Sequence, residues 1–247
     1  MRKTLIAGNW KMNLDLEEGM DLIQSLVNQI TPDDLSKCDV LVCPQMPLIA
    51  PLSDIAGSIK LGAQDCGAAN AGAFTGDTSP SLLASLGCDY VIVGHSERRV
   101  GRLEDSGLIR SKTAAAHASG LTAIVCVGES ENERDEGKAE LVVASQLAAS
   151  IPPGSNPDNL VVAYEPVWAI GTGKTASEAE VQEMHETIRD QLVDLLGDAS
   201  KIRILYGGSV KADNAVALLA LKDVDGALVG GAALKPDSFL PIIRAAG

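Results

Sequence analysis

Eight short apolar runs rich in Val, Ile, Leu and Ala recur along the chain of 247 residues. Several lack polar alternation, which is typical of strands buried on both faces. Segments with helical spacing lie between the runs, so strands and helices alternate. Eight repeats favour an α/β fold of the (β/α)8 barrel type, with eight parallel strands ringed by helices, over an open sheet. The predicted strands are 4–8, 39–43, 59–63, 90–94, 122–127, 160–164, 202–206 and 226–230.

The clearest helical patterns cover residues 15–30 and 177–195. Ser177 is a plausible N-cap of the second one, because Glu180 follows three residues later as in a capping box. No linker or low-complexity stretch divides the chain, so we expect a single barrel domain over 1–247. Further helices are predicted at 46–56, 79–86, 105–118, 131–150, 213–221 and 237–245.

The formal net charge of −13 argues against nucleic acid or an anionic membrane surface as a partner. An anionic substrate must then be held by local groups. No apolar run reaches the roughly 18–20 residues that span a bilayer, and the apolar run at the N-terminus is too short for a signal peptide. The five cysteines form no CxxC pair and mostly lie in or beside apolar runs, as buried free thiols do. We therefore expect a cytoplasmic protein.

Polar and glycine residues gather where the predicted strands end, whereas the residues that enter the strands form no such pattern. The carboxyl ends of barrel strands form one rim, and barrel enzymes carry their chemistry there. We therefore expect the functional residues on this rim. They are Asn9, Lys11, Gln64, Asp65, His95, Ser96, Glu97, Glu129, Glu165, 207–209 and 230–231.

Residues 163–176 have the sequence AYEPVWAIGTGKTA, in which an apolar run ends in Glu165. Pro166 follows, and then a short apolar tip leads to Gly171 and Gly173. This order fits a general base on a rigid strand end, followed by a mobile lid over 166–176. On this segment alone, a loop with an exposed glutamate fits as well.

His95 directly follows a strand and precedes polar residues that resemble the first turn of a helix. The positive end of a helix disfavours protonated histidine, so His95 could donate a hydrogen bond as a neutral ring. The alternative is a structural or exposed histidine. Lys11 is flanked by Asn9, Trp10 and Met12, which suggests a half-enclosed lysine beside an anion rather than a solvated one.

Glycine pairs follow predicted strands 7 and 8, at 207–208 and 230–231. Glycine lets backbone N–H groups approach a ligand closely, and barrels often hold phosphate at this place. Either pair alone could be a tight turn. Cys126 has no base near it in sequence, so a packed thiol beside the site is favoured over a nucleophile. No spacing suggests a metal site, and we expect no metal and no cofactor.

Seven motifs, in order from residue 4 to about 240, resemble those of the triosephosphate isomerase family: GNWKMN, AGAFTG, YVIVGHSERR, CVGES, AYEPVWAIGTGKTA, ILYGGSVK and GALVGGAAL. The resemblance implies an isomerase that interconverts dihydroxyacetone phosphate and D-glyceraldehyde 3-phosphate. It also implies proton transfer through an enediolate, a place in glycolysis and gluconeogenesis, and no cofactor.

The resemblance also implies roles. Glu165 would move the proton between the two carbons, and His95 would donate a hydrogen bond to the carbonyl and shuttle protons between oxygens. Lys11 would offset the developing negative charge, and Asn9 would help to hold the substrate oxygens. The phosphate would accept from the backbone N–H groups of Gly171, Ser209, Gly230 and Gly231.

Further residues would support this site by the same resemblance. Glu97 would lie close to Lys11, and Ser96 and Cys126 would lie behind the residues that contact substrate. Tyr206 and Ser209 would hold the closed lid, and Glu129 would hold Trp168 in the open lid.

The family is dimeric, and the resemblance implies a homodimer through the loop 65–79, whose tip is Phe74 and Thr75. Two positions depart from the family. Asp77 stands where glutamate is usual, which would shorten a pairing across the interface with Arg98. Leu14 stands where many members have glycine.

Two other classes of protein remain as alternatives. Another phosphate-binding barrel enzyme, such as an aldolase or an indole-forming lyase, is one. An aldolase needs a Schiff-base lysine inside the barrel, and Lys60 is the only lysine within a predicted strand. A non-catalytic binding or scaffold protein is the other; it would be expected to have lost Glu165, His95 or the lid, and all three are present.

Overall fold

Eight parallel strands close into a barrel in a computed structural model that describes residues 2–170 and 174–246. Each strand pairs in parallel with the next, and β1 pairs with β8 from Leu5 opposite Gly226 to Gly8 opposite Val229. The fold predicted from the eight apolar runs is confirmed. The strands are β1 Thr4–Asn9, β2 Cys38–Cys43, β3 Lys60–Ala63, β4 Cys88–Val93, β5 Thr122–Val127, β6 Leu160–Tyr164, β7 Arg203–Tyr206 and β8 Gly226–Val229.

Helices surround the barrel and connect successive strands. They are α1 Leu16–Gln29, α2 Pro32–Lys37, α3 Met46–Ser53, α4 Pro80–Ser85, α5 Ser96–Gly101, α6 Ser106–Ala118, α7 Glu131–Asp135, α8 Ala139–Ser150, α9 Glu178–Leu196, α10 Ala215–Leu219 and α11 Pro236–Arg244. Two single-turn 3-10 helices, Val167–Ala169 and Gly231–Leu234, follow β6 and β8.

The helix predicted over 131–150 is two helices. The break falls at Gly137, whose φ of 70° lies in the left-handed region that favours glycine. Helix α2 is missing from the sequence prediction, because a six-residue segment with one apolar side chain shows no helical periodicity. Its start is nevertheless encoded, since Thr31 and Asp34 form a capping box ahead of Pro32.

Capping fixes the start of α9, the helix that follows the predicted lid. The Ser177 hydroxyl accepts from the Glu180 N–H, and the Glu180 carboxylate accepts from the Ser177 N–H at 2.7 Å. The predicted capping box is therefore confirmed. It sets the point where the chain leaves the lid and becomes helix.

Alternate strand residues fill two separate layers of the core. Leu5 and Ala7 of β1 face the barrel interior, whereas Ile6 between them packs in the layer between strands and helices. Both sides of each strand are therefore apolar, which explains why the sequence shows apolar runs instead of alternation.

Leu14 adopts a φ of 68°, a left-handed conformation that costs an ordinary residue about 1–2 kcal/mol. Glycine would adopt this conformation without that cost. The Leu14 side chain is half-buried and packs against the core, so its contacts offset part of that cost.

Within the described part of the chain, no helix is both long enough and apolar enough to cross a bilayer.

Candidate active site

A cavity of about 460 Å3 opens at the carboxyl ends of the strands. Its walls come from segments that are far apart in sequence, which the barrel brings to one rim. The lining residues are Asn9, Lys11, Asn13, His95, Glu165, Ile170, 207–211, Leu228, 230–232 and Leu234. Of the residues predicted on this rim, the ones that line the cavity are Asn9, Lys11, His95, Glu165, 207–209 and 230–231, whereas Gln64, Asp65, Ser96, Glu97 and Glu129 do not.

Glu165 directly follows β6 and is only 2% exposed. Its Oε2 accepts from the backbone N–H of Ser96 at 2.9 Å, and its Oε1 lies 2.8 Å from His95 Nε2. Burial raises the pKa of Glu165, but His95, the Ser96 N–H and Lys11 lower it, and the net direction is downward. The carboxylate is thus kept ionised although it is buried, which excludes the alternative of an exposed loop glutamate.

His95 is the N-cap of α5, and its Nδ1 accepts from the Glu97 backbone N–H at 3.2 Å. Because that lone pair is engaged, a neutral ring with its proton on Nε2 fits the site, and Nε2–H then donates to Glu165. Burial lowers the pKa of His95, but the Glu165 carboxylate raises it more. The lowered pKa expected from the helix start therefore does not hold while Glu165 lies against the ring, a contact that the sequence alone does not reveal.

Lys11 extends its ammonium group to Glu97, with 2.6 Å between Nζ and Oε1. The Asn9 side-chain oxygen accepts from the Lys11 backbone N–H at 3.0 Å. Lys11 adopts a φ of 52°, an uncommon conformation for a residue other than glycine. Gln64 donates to the Lys11 carbonyl at 2.7 Å, which helps to hold this backbone in place.

The anion end of the cavity is formed after β7 and β8. Among residues 2–170 and 174–246, no group accepts from the backbone N–H groups of Ser209, Gly230 and Gly231. The 3-10 helix Gly231–Leu234 begins there, so its positive end faces the cavity. After β7 no helix follows at once, because α10 begins only at Ala215.

Gly208 shows why one of these turns requires glycine. A Cβ at this position would lie 2.2 Å from the Tyr206 hydroxyl oxygen, which no side chain tolerates. Gly231 differs, because a Cβ there would meet no atom within 4 Å. Its missing side chain leaves open space beside the unpaired N–H groups.

The first part of the predicted lid is attached to Glu129. The Glu129 backbone carbonyl accepts from the Val167 N–H, and its carboxylate accepts from Trp168 Nε1 at 2.8 Å. The same carboxylate oxygen accepts from the Tyr164 hydroxyl at 3.0 Å. The expected contact between Glu129 and Trp168 is present.

The last part of the lid is attached to Tyr206 and Glu131. The Tyr206 hydroxyl accepts from the Ala176 backbone N–H, while burial raises the pKa of Tyr206 to about 12. Lys174 forms an ion pair with Glu131. Gly171, which the sequence assigned to phosphate, lies outside the described residues.

Cys126 lies in the barrel interior, fully buried and in contact with the Glu165 carboxylate. Burial raises the pKa of the thiol well above its usual value, and the carboxylate raises it further. The side chain is therefore a neutral packed thiol rather than a nucleophile.

The predicted interface residues lie on the same side of the barrel. Phe74 is 56% exposed at the loop tip, beside the exposed Thr75 and Asp77. Arg98 pairs within its own chain, at 2.6 Å from Glu104 and 2.7 Å from Asp65.

Three residues that sequence reasoning missed belong to the site or its surroundings. Asn13 and Lys211 line the cavity. Arg134 lies 3.2 Å from Glu129 and 2.6 Å from Glu180, and its guanidinium stacks over the Trp168 ring at 5.0 Å. Lys211 directly follows the GGSV turn and could have been found from that position. Arg134 lies in a polar helix, where nothing in the sequence distinguishes it.

The fold and the cavity define a class of protein: a (β/α)8-barrel enzyme that places an ionised carboxylate, an imidazole and an ammonium group beside an anion pocket. Acid and base groups next to an anion pocket are typical of an enzyme that transfers protons.

Comparison with known proteins identifies the family. The sequence profile described as Triosephosphate isomerase matches residues 4–246. The chain is 48% identical over 246 residues to the triosephosphate isomerase of Ruegeria sp., covering 99% of this chain and 98% of the relative. It is 51% identical over 252 residues to that of Acidiphilium cryptum, covering 98% of each. The crystal structure of triosephosphate isomerase from Bartonella henselae superimposes with a TM-score of 0.88 at 40% identity, over 98% of each chain.

The chain belongs to the triosephosphate isomerase family. It is an isomerase, and its reaction is the interconversion of dihydroxyacetone phosphate and D-glyceraldehyde 3-phosphate. An aldolase would need a Schiff-base lysine inside the barrel. Lys60 lies instead at the start of β3, with its Nζ 3.5 Å from Asp89.

Direct titration checks the ionisation of Glu165. In the free enzyme labelled with 13C at the glutamate carboxyls, we expect the Glu165 resonance to titrate below the ordinary value of 4.5. His95→Gln should raise this pKa, because it removes the side chain that lowers it most. His117→Gln, which alters a half-buried histidine of α6, is the matched control and should leave it unchanged. Titration above 4.5 in the wild type, or equal shifts in both variants, would contradict the account.

Proposed function

We propose that Glu165 is the base that carries the proton in this isomerisation. It takes a proton from C1 of dihydroxyacetone phosphate, which leaves an enediolate across C1 and C2. The same proton equivalent returns to C2, while a proton moves from the oxygen on C1 to the oxygen on C2. One C–H bond breaks and one forms, so no electron acceptor is needed. A carbon acid beside a carbonyl is weak, so the enediolate must be stabilised in advance.

We infer that His95 and Lys11 provide this stabilisation. The Nε2–H of His95 would donate to the carbonyl oxygen, and the ring would then move protons between the two oxygens. Lys11 would offset the negative charge, and Asn9 would hold the oxygens. The hydrogen bond that His95 Nδ1 accepts supports a neutral ring as the donor to the carbonyl. Such a ring has its one N–H proton on Nε2, and His95 lines the cavity.

The phosphate would bind to the backbone N–H groups of Ser209, Gly230 and Gly231, and Gly171 would complete the site from the lid. Support comes from the unpaired N–H groups after β7 and β8 and from the helix start at Gly231. Lys211, which also lines the cavity, would add positive charge against the overall negative field.

We also propose that the lid over 166–176 excludes water. Glu129 would hold Trp168 in the open lid, while Tyr206 and Ser209 would hold the closed lid. The contacts of Trp168 with Glu129 and of Ala176 with Tyr206 support a lid whose two ends are anchored on the barrel. Ser96 and Glu97 would position Glu165 and Lys11, and Cys126 would pack behind the carboxylate.

The observation that carries the mechanism is the position of Glu165. A carboxylate that is 2% exposed remains ionised because Ser96 and His95 bind it, and it still faces the substrate cavity. Such a carboxylate can accept a proton from a substrate that binds in the cavity without first losing a proton itself.

Substitution of this carboxylate tests the role. Glu165→Ala should lower kcat by about a thousandfold or more, since general-base catalysis is worth about 10²–10⁴. KM should change far less, because the substitution leaves the backbone N–H groups that would bind the substrate phosphate unchanged. An assay that couples glyceraldehyde 3-phosphate to its dehydrogenase measures both constants. Glu178→Ala, which removes a carboxylate from the exposed start of α9, is the control and should retain full activity. Retention of more than about a tenth of kcat in Glu165→Ala would refute the role.

We propose that the protein is a homodimer through the loop 65–79. Exposed apolar side chains on this side of the barrel support the proposal, since a surface of this kind is usually covered. They include Met12 at 86%, Leu103 at 87% and Phe74 at 56% exposure. Arg98 already pairs with Glu104 and Asp65, so these carboxylates partly neutralise its charge. An ion pair between Arg98 and Asp77 across the interface would therefore contribute little to the stability of the dimer.

Sedimentation equilibrium at micromolar concentration tests the assembly. The wild type should sediment with the mass of two chains, and Phe74→Asp should shift it to one, because a charge would be buried in the interface. Leu141→Asp places the same charge on an equally apolar, 70% exposed side chain of α8 and should remain dimeric. A wild type with the mass of one chain would contradict the dimer.

We further propose that residues 1–247 form one domain and that the enzyme acts in the cytoplasm. Strand and helix alternate without a linker as far as Arg244, which supports one domain. The five cysteines are all buried and unpaired, which fits a reducing compartment.

A further inference from the structure

A second cavity lies at the opposite end of the barrel from the substrate site. It measures about 480 Å3, similar to the 460 Å3 of the substrate cavity. Its lining comes from residues just before β1 and β6 and from residues before and at the start of β7. The lining residues are Arg2, Lys3, Pro157, Ser200, Lys201 and Arg203.

Four of these six residues are basic and none is acidic. The whole chain has 20 basic and 33 acidic residues, so a cavity with this lining is unlike the average surface. A concave site of one sign concentrates counter-ions even when the net charge of the protein opposes them. The cavity is therefore suited to an anion.

Neighbouring groups hold the two arginines in place. Arg2 pairs with Asp225 and donates to the Ser200 carbonyl at 2.9 Å and to the Lys222 carbonyl at 3.3 Å. Arg203 donates to Asp39 at 2.9 Å and to the Tyr90 hydroxyl at 2.7 Å. These contacts use part of the five N–H donors of each guanidinium, so donors remain for a ligand. Fixed guanidinium groups bind phosphate with little further ordering.

The charges around the cavity do not cancel. Five cations share three carboxylates: Asp39 pairs with Lys3 and Arg203, Asp223 and Asp225 both pair with Arg2 and Arg189, and Asp223 also lies 3.9 Å from Lys222. Lys201 is a sixth cation, and it forms no ion pair and no side-chain hydrogen bond with the rest of the described chain. Asp198 approaches only Ser200, at 2.9 Å between the two side-chain oxygens, and does not line the cavity. An excess of positive charge remains there.

We propose that this cavity is a binding site for a multivalent phosphate anion, a diphosphate or a bisphosphate. Two fixed guanidinium groups and two ammonium groups exceed what one phosphate needs, and a cavity of this volume admits a molecule of at least triose phosphate size. The ligand would bind between the segment before β1 and the segment before β7. This site is separate from the substrate cavity, because it lies at the other ends of the same strands.

Calorimetric titration with inorganic pyrophosphate tests the proposal. Triose phosphates at their equilibrium ratio are included at saturating concentration, so that the substrate site is filled and no net reaction gives heat. The wild type should bind one pyrophosphate per chain, more tightly than orthophosphate, and the affinity should fall with added salt. No binding under these conditions, or equal affinity for both anions, would overturn the proposal.

Two charge-reversed variants locate the binding. Lys201→Glu should weaken pyrophosphate at least about tenfold, because a charge-assisted contact becomes a repulsion. Lys222→Glu is the matched control: this exposed lysine lies at the same end of the barrel but does not line the cavity. It should change the affinity less than about threefold. Equal weakening in both variants would show a general surface effect and would overturn the site. Both variants should isomerise triose phosphate as the wild type does, which shows that they are folded.

Discussion

The site depends on one buried charge. Glu165 is removed from water at the end of β6, and burial alone would neutralise it. The Ser96 N–H and His95 Nε2 prevent this, because each binds one carboxylate oxygen. Ser96 begins α5 and His95 caps it, so the carboxylate on β6 is held by the helix start that follows β4. The base can be ionised only if the barrel holds these elements in register.

This arrangement links the two groups that we propose as the acid and the base of the reaction. His95 Nδ1 accepts a hydrogen bond from the Glu97 backbone N–H, and His95 Nε2 faces the Glu165 carboxylate. Glu97 also pairs with Lys11, so the three groups that we propose to meet the substrate are connected through one short helix. When substrate separates Glu165 from His95, the effect that raises the pKa of His95 weakens. The neutral ring would then be favoured at the step of the proposed mechanism in which it donates a hydrogen bond to the carbonyl.

The fold and most of the site follow from the sequence because their signals are local. Apolar runs predict buried strands, Ser177 and Glu180 predict the start of α9, and residues after each strand predict the rim. What the sequence does not reveal are contacts across the barrel. The bond between Glu165 and His95 reverses the expected pKa shift of the histidine. Arg134 joins Glu129, Glu180 and Trp168, and Arg2 joins the cavity before β7, although nothing in their own segments indicates either partner.

Transfer of a proton by an ionised carboxylate is the central claim, and solvent isotope incorporation tests it most directly. The reaction is run from dihydroxyacetone phosphate in D2O, and the product is trapped early and examined by NMR. A proton held on Glu165 can exchange with solvent before it returns, so a measurable fraction of the glyceraldehyde 3-phosphate should carry deuterium at C2. Product with no deuterium at C2 would show that the transferred hydrogen never becomes exchangeable, as in direct hydride transfer between the carbons, and would contradict the account.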